Sequence, residues 1–452
     1  MVADELFGHL PRDWRYTTLG AACEEGGGDI QTGPFGSQLH ASDYVLDGVP
    51  SIMPQNIGDN RIIEEGIARV SLGDAERLSR YLVRKGDIVY SRRGDVEKRA
   101  LVREHEDGWL CGTGCLRVRF GQGDVDPRYA SFYLGHPIVR EWIVRHAHGA
   151  TMPNLNTSIL SRCPFVIPPA ADQSAFANIL SAFDDRIELN RRINETLEAM
   201  TRALFKSWFV DFDPVRCKAE RQDIALPRHI ADLFPDALEQ TESGEIPKGW
   251  RLSPVYGIAA FINGAAYRDF EPNQQRKGLP IIKIAELKNG VTAQTAFSDA
   301  EMPEKYRIDK RDILFSWSGN PDTSIDTFVW ARGPGWLNQH IFRVIPPNEE
   351  ARAFVLMTLR DLRPVFAEIA RNKQTTGLGH VTAADLKRLR VAYPPKSVLR
   401  EWNRIVEPLL ERSFLLQLEC CTLTSVRDVL LPKILSGELQ IDNPERFIAG
   451  HT

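Results

Sequence analysis

Residues 81–91 read Tyr81-Leu-Val-Arg-Lys85-Gly-Asp87-Ile-Val-Tyr-Ser91, and the same rhythm returns at residues 306–316 as Tyr306-Arg-Ile-Asp-Lys310-Arg-Asp312-Ile-Leu-Phe-Ser316. Self-similarity at a fixed offset is the mark of a duplicated structural unit. Outward from this pair the echo continues. Pro11-Arg-Asp-Trp-Arg15 comes back as Pro247-Lys-Gly-Trp-Arg251, Gly108-Trp109-Leu110 as Gly335-Trp336-Leu337, and Pro168-Pro169 as Pro394-Pro395. The offset stays between 225 and 236 residues, so one globular module is expected to be used twice.

Each proline pair leads into a long helical pattern. In residues 172–210 the apolar positions Phe176, Ile179, Phe183, Ile187, Ile193, Leu197, Met200, Leu204 and Trp208 fall mostly three or four apart, with a polar lapse at Asn190. That is the seam of a helix packed on a helix. A helix of this length would reach about 57 Å and needs a partner. Residues 397–436 offer one, through Leu399, Trp402, Ile405, Leu409, Leu416, Leu423, Leu430 and Ile434. Pro408 is expected to bend that helix or delay its start.

Within a module, residues 87–90 and 116–120 read as strands bounded by Gly86 and Gly121, and residues 129–145 and 351–371 as amphipathic helices. Residues 211–245 carry Pro214, Pro227 and Pro235 without sustained periodicity. They read as a connector with one short helix near 229–234, more tolerant of substitution than either module. The fold class is α+β: two mixed α/β domains in tandem, separated by two long helices forming an antiparallel coiled coil. The expected divisions are 1–168, a long helix at 169–210, the connector 211–246, the second domain 247–394, a second helix at 395–440 and a tail at 441–452.

With 452 residues, 43% hydrophobic and 26% charged, the chain can bury more than one core. No apolar run approaches the roughly 18 residues that span a bilayer, and residues 1–10 lack a basic region leading into an apolar core, so a cytoplasmic location without membrane partners is expected. A net charge of −4 excludes a chain coated in basic residues but leaves room for a local basic surface. The seven cysteines, Cys23, Cys111, Cys115, Cys163, Cys217, Cys420 and Cys421, form no double Cys-x-x-Cys framework. Reduced, buried thiols and no metal site are expected.

The glycine-rich residues 26–36 lack the Gly-Lys-Ser/Thr ending of a P-loop and the strand–turn–helix setting of a dinucleotide fingerprint. They read as a tight turn, with backbone amides facing a phosphate as its functional version. No Gly-x-Ser-x-Gly elbow, His-Glu-x-x-His pair or Asn-Pro-Pro-Tyr loop is present, and His40, His146, His148 and His340 have no evident triad companions.

Four phrases carry a resemblance over nearly the whole chain: Gly28-Asp-Ile-Gln-Thr-Gly-Pro-Phe-Gly-Ser-Gln-Leu-His40, Leu204-Phe-Lys-Ser-Trp-Phe-Val-Asp-Phe212, Gly244-Glu-Ile-Pro-Lys-Gly-Trp250 and Leu431-Pro-Lys-Ile-Leu-Ser-Gly-Glu-Leu439. In this order on a tandem repeat they resemble the DNA specificity subunit of type I restriction-modification systems. The second module departs at its start, with Ile262-Asn-Gly-Ala-Ala-Tyr267 where the first has Thr32-Gly-Pro-Phe-Gly36. The resemblance implies a non-catalytic subunit that recognises a bipartite, asymmetric site in double-stranded DNA. It further implies recruitment of methyltransferase (modification) subunits, two of them, and of restriction/translocase subunits. S-adenosylmethionine, ATP and magnesium would bind those partners and not this chain.

DNA contact is then sought on polar and basic loops. Ser91, Arg92, Arg93, Lys98 and Arg99 follow a strand, where arginine can hold guanine O6 and N7 or a phosphate. Their second-module counterparts are Ser316, Ser318 and Asn320. A second loop pair supplies Asn154 and Asn156 in one module and Lys373, Gln374, Thr375 and His380 in the other, and Gln38 and His40 complete the set. Trp208, Phe209, Leu415, Leu418, Leu431 and Ile434 are expected to dock partner subunits. The bland readings are solvated loops and a rigid spacer. The rival functions are a fused or degenerate methyltransferase or nuclease, and a coiled-coil adaptor without DNA specificity.

Overall fold

A computed structural model describes residues 11–149, 153–222, 226–374 and 378–435. The chain divides into a first unit of residues 1–187 with 422–452, and a second of residues 188–421.

In the first unit the repeated stretch makes the strand Ile88–Ser91, all four residues of which are buried. Gly86, at φ 89°, turns the chain into it. Asp87 locks the turn by accepting from the Arg84 amide (2.7 Å) and pairing with Arg119 (2.6 Å). This strand lies in a four-stranded antiparallel sheet ordered Gly27–Thr32, Cys115–Gly121, Ile88–Ser91, Arg99–Leu101. A smaller mixed sheet holds Tyr44–Val45, Ala68–Val70, Val49–Ile52 and Leu110–Cys111. Arg15–Thr18 pairs with Pro164–Ile167, so the start of the module is tied to the strand that precedes the long helix.

The second unit repeats this order. Its main sheet runs Ala260–Asn263, Ile341–Ile345, Ile313–Ser316, Asp326–Val329, and Arg251–Pro254 pairs with Arg390–Tyr393. Asp312 does what Asp87 does, accepting from the Asp309 amide (2.8 Å) and pairing with Arg343 (3.1 Å). The aspartate of the repeat is therefore a turn lock.

Two helices of 40 residues each, Ala170–Phe209 and Lys396–Leu435, contribute to both units. In the first unit Phe176, Ala177 and Leu180 of one helix and Leu431 and Ile434 of the other join Phe120, Tyr133 and Phe165 in the core, with the Tyr133 and Phe165 rings 4.9 Å apart. In the second unit Phe205, Trp208 and Phe209 pack with Phe354 and Trp402, the Phe209 ring lying 5.1 Å and 4.9 Å from them.

Several expectations change. Pro408 sits inside the second helix, which starts at Lys396, neither delayed nor interrupted there. Val406, buried like Trp402, anchors this stretch in the core, offsetting the lost amide. The segment 129–145 is two helices, Pro127–Tyr133 and Pro137–His146, and 351–371 is Arg352–Asp361 followed by Arg363–Asn372. A proline in the first turn of each second helix forces the break. The connector is no loose tether: it forms the helices Asp213–Ala219 and Arg228–Ala231 and the hairpin Leu238–Thr241/Gly244–Pro247, and buries Phe212, Val215, Ile230 and Phe234 in the second unit's core. The seven cysteines are free thiols, and Cys23, Cys111, Cys115 and Cys163 are buried.

Candidate nucleic-acid interface

At the end of the strand Ile88–Ser91 the chain runs out along a second segment. Arg92 donates its amide to the Gly114 carbonyl (2.8 Å), its own carbonyl accepts from Leu155 (2.8 Å), and Gly94 N–H reaches the Pro153 carbonyl (3.2 Å). Arg93 and Asn154 form a bridge. The two loops singled out in the first module are thus one edge. A third segment closes it, where Gly33 donates to the Cys115 carbonyl (3.0 Å) and Phe35 lies 6.0 Å from the Arg92 guanidinium. A Cβ at Gly33 would stand 2.1 Å from the Gly112 carbonyl oxygen, so only glycine fits.

The second unit builds the same edge. Trp317 donates to His340 O (3.3 Å), its carbonyl accepts from Val381 (2.8 Å), and Ser318–Gly319 pairs with Gly379–His380. Gly264 donates to Ile341 O (3.1 Å), and a Cβ there would stand 2.2 Å from the Asn338 carbonyl oxygen. Gly264 therefore matches Gly33, although the surrounding residues differ. The matched bonds put Trp317 where the first unit has Arg92, Ser318 where it has Arg93, and His380 where it has Asn154. One backbone frame presents two chemistries.

Within the first edge, Arg93 is exposed and its guanidinium has no hydrogen-bond or ion-pair partner among the described residues. His40 is exposed as well. Lys98 pairs with Asp95 at 2.8 Å, both exposed. Gln38 is tied down, its Oε1 accepting from Phe35 N (3.1 Å) and the Tyr81 hydroxyl (2.9 Å). Asn156 caps the helix Thr157–Ser161 by accepting from Ile159 N (2.8 Å). Ser91 is buried. Arg99 departs furthest from expectation, since it is 5% exposed and donates to the Ser131 carbonyl (2.6 Å) with Asp59 at 3.6 Å. A side chain so enclosed cannot reach a DNA groove.

In the second edge Ser316 is fully buried, while Ser318 and His380 are half-buried and Asn320 and Gln374 are exposed. Asn320 Oδ1 accepts from Asp322 N (2.9 Å) and Thr323 N (3.2 Å), which fixes the turn. Lys373 is spent on Asp385, at 2.5 and 2.6 Å. Burial works against the Asp385 carboxylate, but Lys373 and Thr382 hold it below the usual range. Thr375 lies outside the described residues. Trp317, not among the expected contacts, donates its indole N–H to Asn263 Oδ1 (3.0 Å) beside His340. Its equivalence to Arg92 in the repeat is the signal that pointed to it.

The expected docking residues divide. Trp208, Phe209, Leu431 and Ile434 are core side chains, at most 7% exposed and already covered by their own units. Leu415 is 47% exposed and Leu418 half-buried, and Leu189 and Met200 are exposed as well.

A charged cluster ties the first module to both helices. Arg427 donates to Asp184 (2.8 Å) and Asp59 (2.7 Å), and Asn60 Nδ2 donates to the other oxygen of Asp184 (3.1 Å). Burial opposes ionisation of Asp59, yet Arg427 and Arg99 hold its carboxyl below the usual value. Arg99, at the end of the segment that carries Arg93, joins the cluster through Asp59 (3.6 Å). Among the described residues no group of three or more His, Cys, Asp or Glu side chains could hold a metal ion, and no helix is long and apolar enough to cross a membrane.

The type I restriction modification DNA specificity domain matches residues 47–199 and again 247–411. The HindI specificity subunit of Haemophilus influenzae is 24% identical over 88% of this chain and 96% of its own. The MjaIX specificity subunit of Methanocaldococcus jannaschii is 24% identical over 96% of this chain and 95% of its own. A crystal structure of the type I restriction-modification S subunit from M. genitalium superposes with a TM-score of 0.51 at 16% identity, covering 94% of this chain and 96% of that one, a likeness of fold.

Proposed function

The chain belongs to the type I restriction modification DNA specificity family, whose role is recognition and not catalysis, and on that footing we propose that each unit reads one half of a bipartite, asymmetric duplex site. The observation that carries this reading is the edge built twice on one backbone frame with different side chains. A frame kept while its side chains change suits two readers of different half-sites. Arg93 offers the first half-site a fork matched to guanine O6 and N7. Asn320 and Gln374 offer the second half-site amides, and amides suit adenine.

The recruited subunits would be methyltransferases, two per chain, and a restriction translocase, with S-adenosylmethionine, ATP and magnesium bound there. The exposed Leu189, Met200, Leu415 and Val429 are apolar positions on the long helices with which a methyltransferase would be gripped. The deciding experiment is a selection from duplex libraries by the assembled complex carrying Arg93→Ala. Loss of about 1–3 kcal/mol of discrimination at one position of one half-site is expected. A uniform loss with a salt slope smaller by about one would make Arg93 a phosphate contact instead. Unchanged affinity, preference and salt dependence would remove this edge from the interface.

A further inference from the structure

The second unit contains a cleft of about 590 Å³ between the strand Asp326–Val329, the helix Arg352–Asp361 and the unit's share of both long helices. Its lining carries eight arginine and lysine side chains against four carboxylates, a balance of +4 in a chain whose net charge is −4. Some of these cations are committed. Arg311 pairs with Glu407 (2.8 Å) and Glu411 (2.5 Å), and Arg363 with Asp326 (3.3 Å). Arg202, Lys288, Arg332 and Arg352 have no carboxylate within 4 Å among the described residues.

Two further details bear on what the cleft accepts. The Arg332 guanidinium lies against Gly290, where a Cβ would stand 2.2 Å from its Cζ. Thr327 Oγ1, on the same wall, is buried with no hydrogen-bond partner among the described residues. Burial disfavours the Arg352 cation and Glu407 favours it, while the guanidinium donates to the Arg311 carbonyl.

The repeat supplies a control within the same chain. The first unit has a corresponding cleft of about 430 Å³, but there three cations face four carboxylates. Glu104, three residues past Leu101 of the third sheet strand's partner, stands where Arg332 stands three residues past Val329, because Leu101 and Val329 pair with Ile88 and Ile313. A scaffold requirement would act alike on both copies. The excess of positive charge belongs to the second unit alone.

We propose that the cleft of the second unit binds a polyphosphate-bearing ligand, with Arg202, Arg332 and Arg352 as its cationic contacts and Thr327 as a hydroxyl donor. Guanidinium forks match phosphate oxygens two at a time, and a cleft of this size holds more than a single phosphate. The phosphate can come from a free polyphosphate or from a nucleic-acid backbone, and these separate experimentally. The inference does not depend on which bases the edges read.

The test titrates the full chain with tripolyphosphate by calorimetry, and in parallel with a mixed-sequence duplex. Each is repeated with Arg332→Gln, with the Arg202→Gln/Arg332→Gln double variant, and with Glu104→Gln as the control from the other unit. Thermal melts confirm that each variant is folded. Tripolyphosphate should bind one site, weakened about tenfold by Arg332→Gln and untouched by Glu104→Gln. If the source is a backbone, duplex affinity falls as well, alike for all sequences and with a smaller salt slope, and tripolyphosphate competes. If the source is free polyphosphate, duplex affinity stays as it was. Tripolyphosphate and duplex binding both unchanged in the folded double variant would overturn the proposal, and would leave the half-site selection with Arg93→Ala unaffected.

Discussion

Replacing Arg427 with methionine keeps much of the aliphatic stem and removes the charge on which two carboxylates of the first unit converge. Arg427 and Asp184 are 11% and 10% exposed, and the arginine donates to Asp184 at 2.8 Å and to Asp59 at 2.7 Å. After the change Asp184 keeps the Asn60 amide at 3.1 Å and has lost its opposite charge. Removing one partner of a buried pair costs about 3–5 kcal/mol, because the other charge is left in a poorly solvated site. Asp59, with 55% of its side chain exposed, adds little. At about 2–4 °C per kcal/mol, the unfolding of a unit this size should shift down by about 10 °C. Scanning calorimetry of the full chain measures the shift, and hydrogen exchange should place the loosening in residues 58–61, 99–101 and 422–435. A double variant with Asp184→Asn should recover part of the loss, giving a coupling of about 1–3 kcal/mol. Stability within about 0.5 kcal/mol of the parent, or strictly additive losses, would refute the reasoning.

Phe209→Ala should destabilise the isolated chain by about 3–5 kcal/mol in urea denaturation, since this ring is a core group; a stability equal to the parent's, with only partner binding lost, would restore it to a docking surface. Gly264→Ala forces a methyl group to 2.2 Å from a carbonyl oxygen, so library selection should lose the second half-site preference and keep the first. His136 is pushed down to about 4 by burial while its unfolded value is about 6.5, so the unfolded chain takes up the proton first and stability present above pH 6.5 falls as the pH drops toward 4. Between pH 7 and 4.5 that amounts to about 2 kcal/mol, and His136→Asn, which keeps a cap acceptor for the Ile138 amide, should flatten this part of the profile.

Much of the architecture was legible because repetition and periodicity are properties of residue order. The Lys-x-Asp turns, the strands after them and the two helical seams all rest on neighbours within a few positions. What escaped depends on pairing across the chain. Arg99 looks like one more basic loop residue until Asp59 and Ser131 are seen around it. The phrase Leu204–Phe212, with Ser207-Trp-Phe209 at its centre, is equally compatible with a sticky surface and a core, and only the packing of Phe354 and Trp402 decides. Gly264 was hidden as the match of Gly33 because the flanking residues changed while the carbonyls that exclude a Cβ did not. The edge itself could be divided into loops from the sequence, but its assembly from three segments required the register of Arg92 with Gly114 and Leu155.

The first unit takes its last helical segment from residues 422–435, beyond the whole of the second unit, and this imposes a timetable on synthesis. A ribosome adds about 5–20 residues per second, so the stretch from residue 187 to residue 422 takes roughly 12–47 s to emerge. During that interval the apolar side chains that will receive Leu431 and Ile434, and the carboxylates that will receive Arg427, wait without them. The second unit, continuous from 188 to 421, can be completed first. The usual order, in which the N-terminal domain is finished before the rest is made, does not apply to a first unit whose last segment is made after residue 421. A chain cut short before residue 422 holds every residue of the second unit and lacks the closing helical segment of the first.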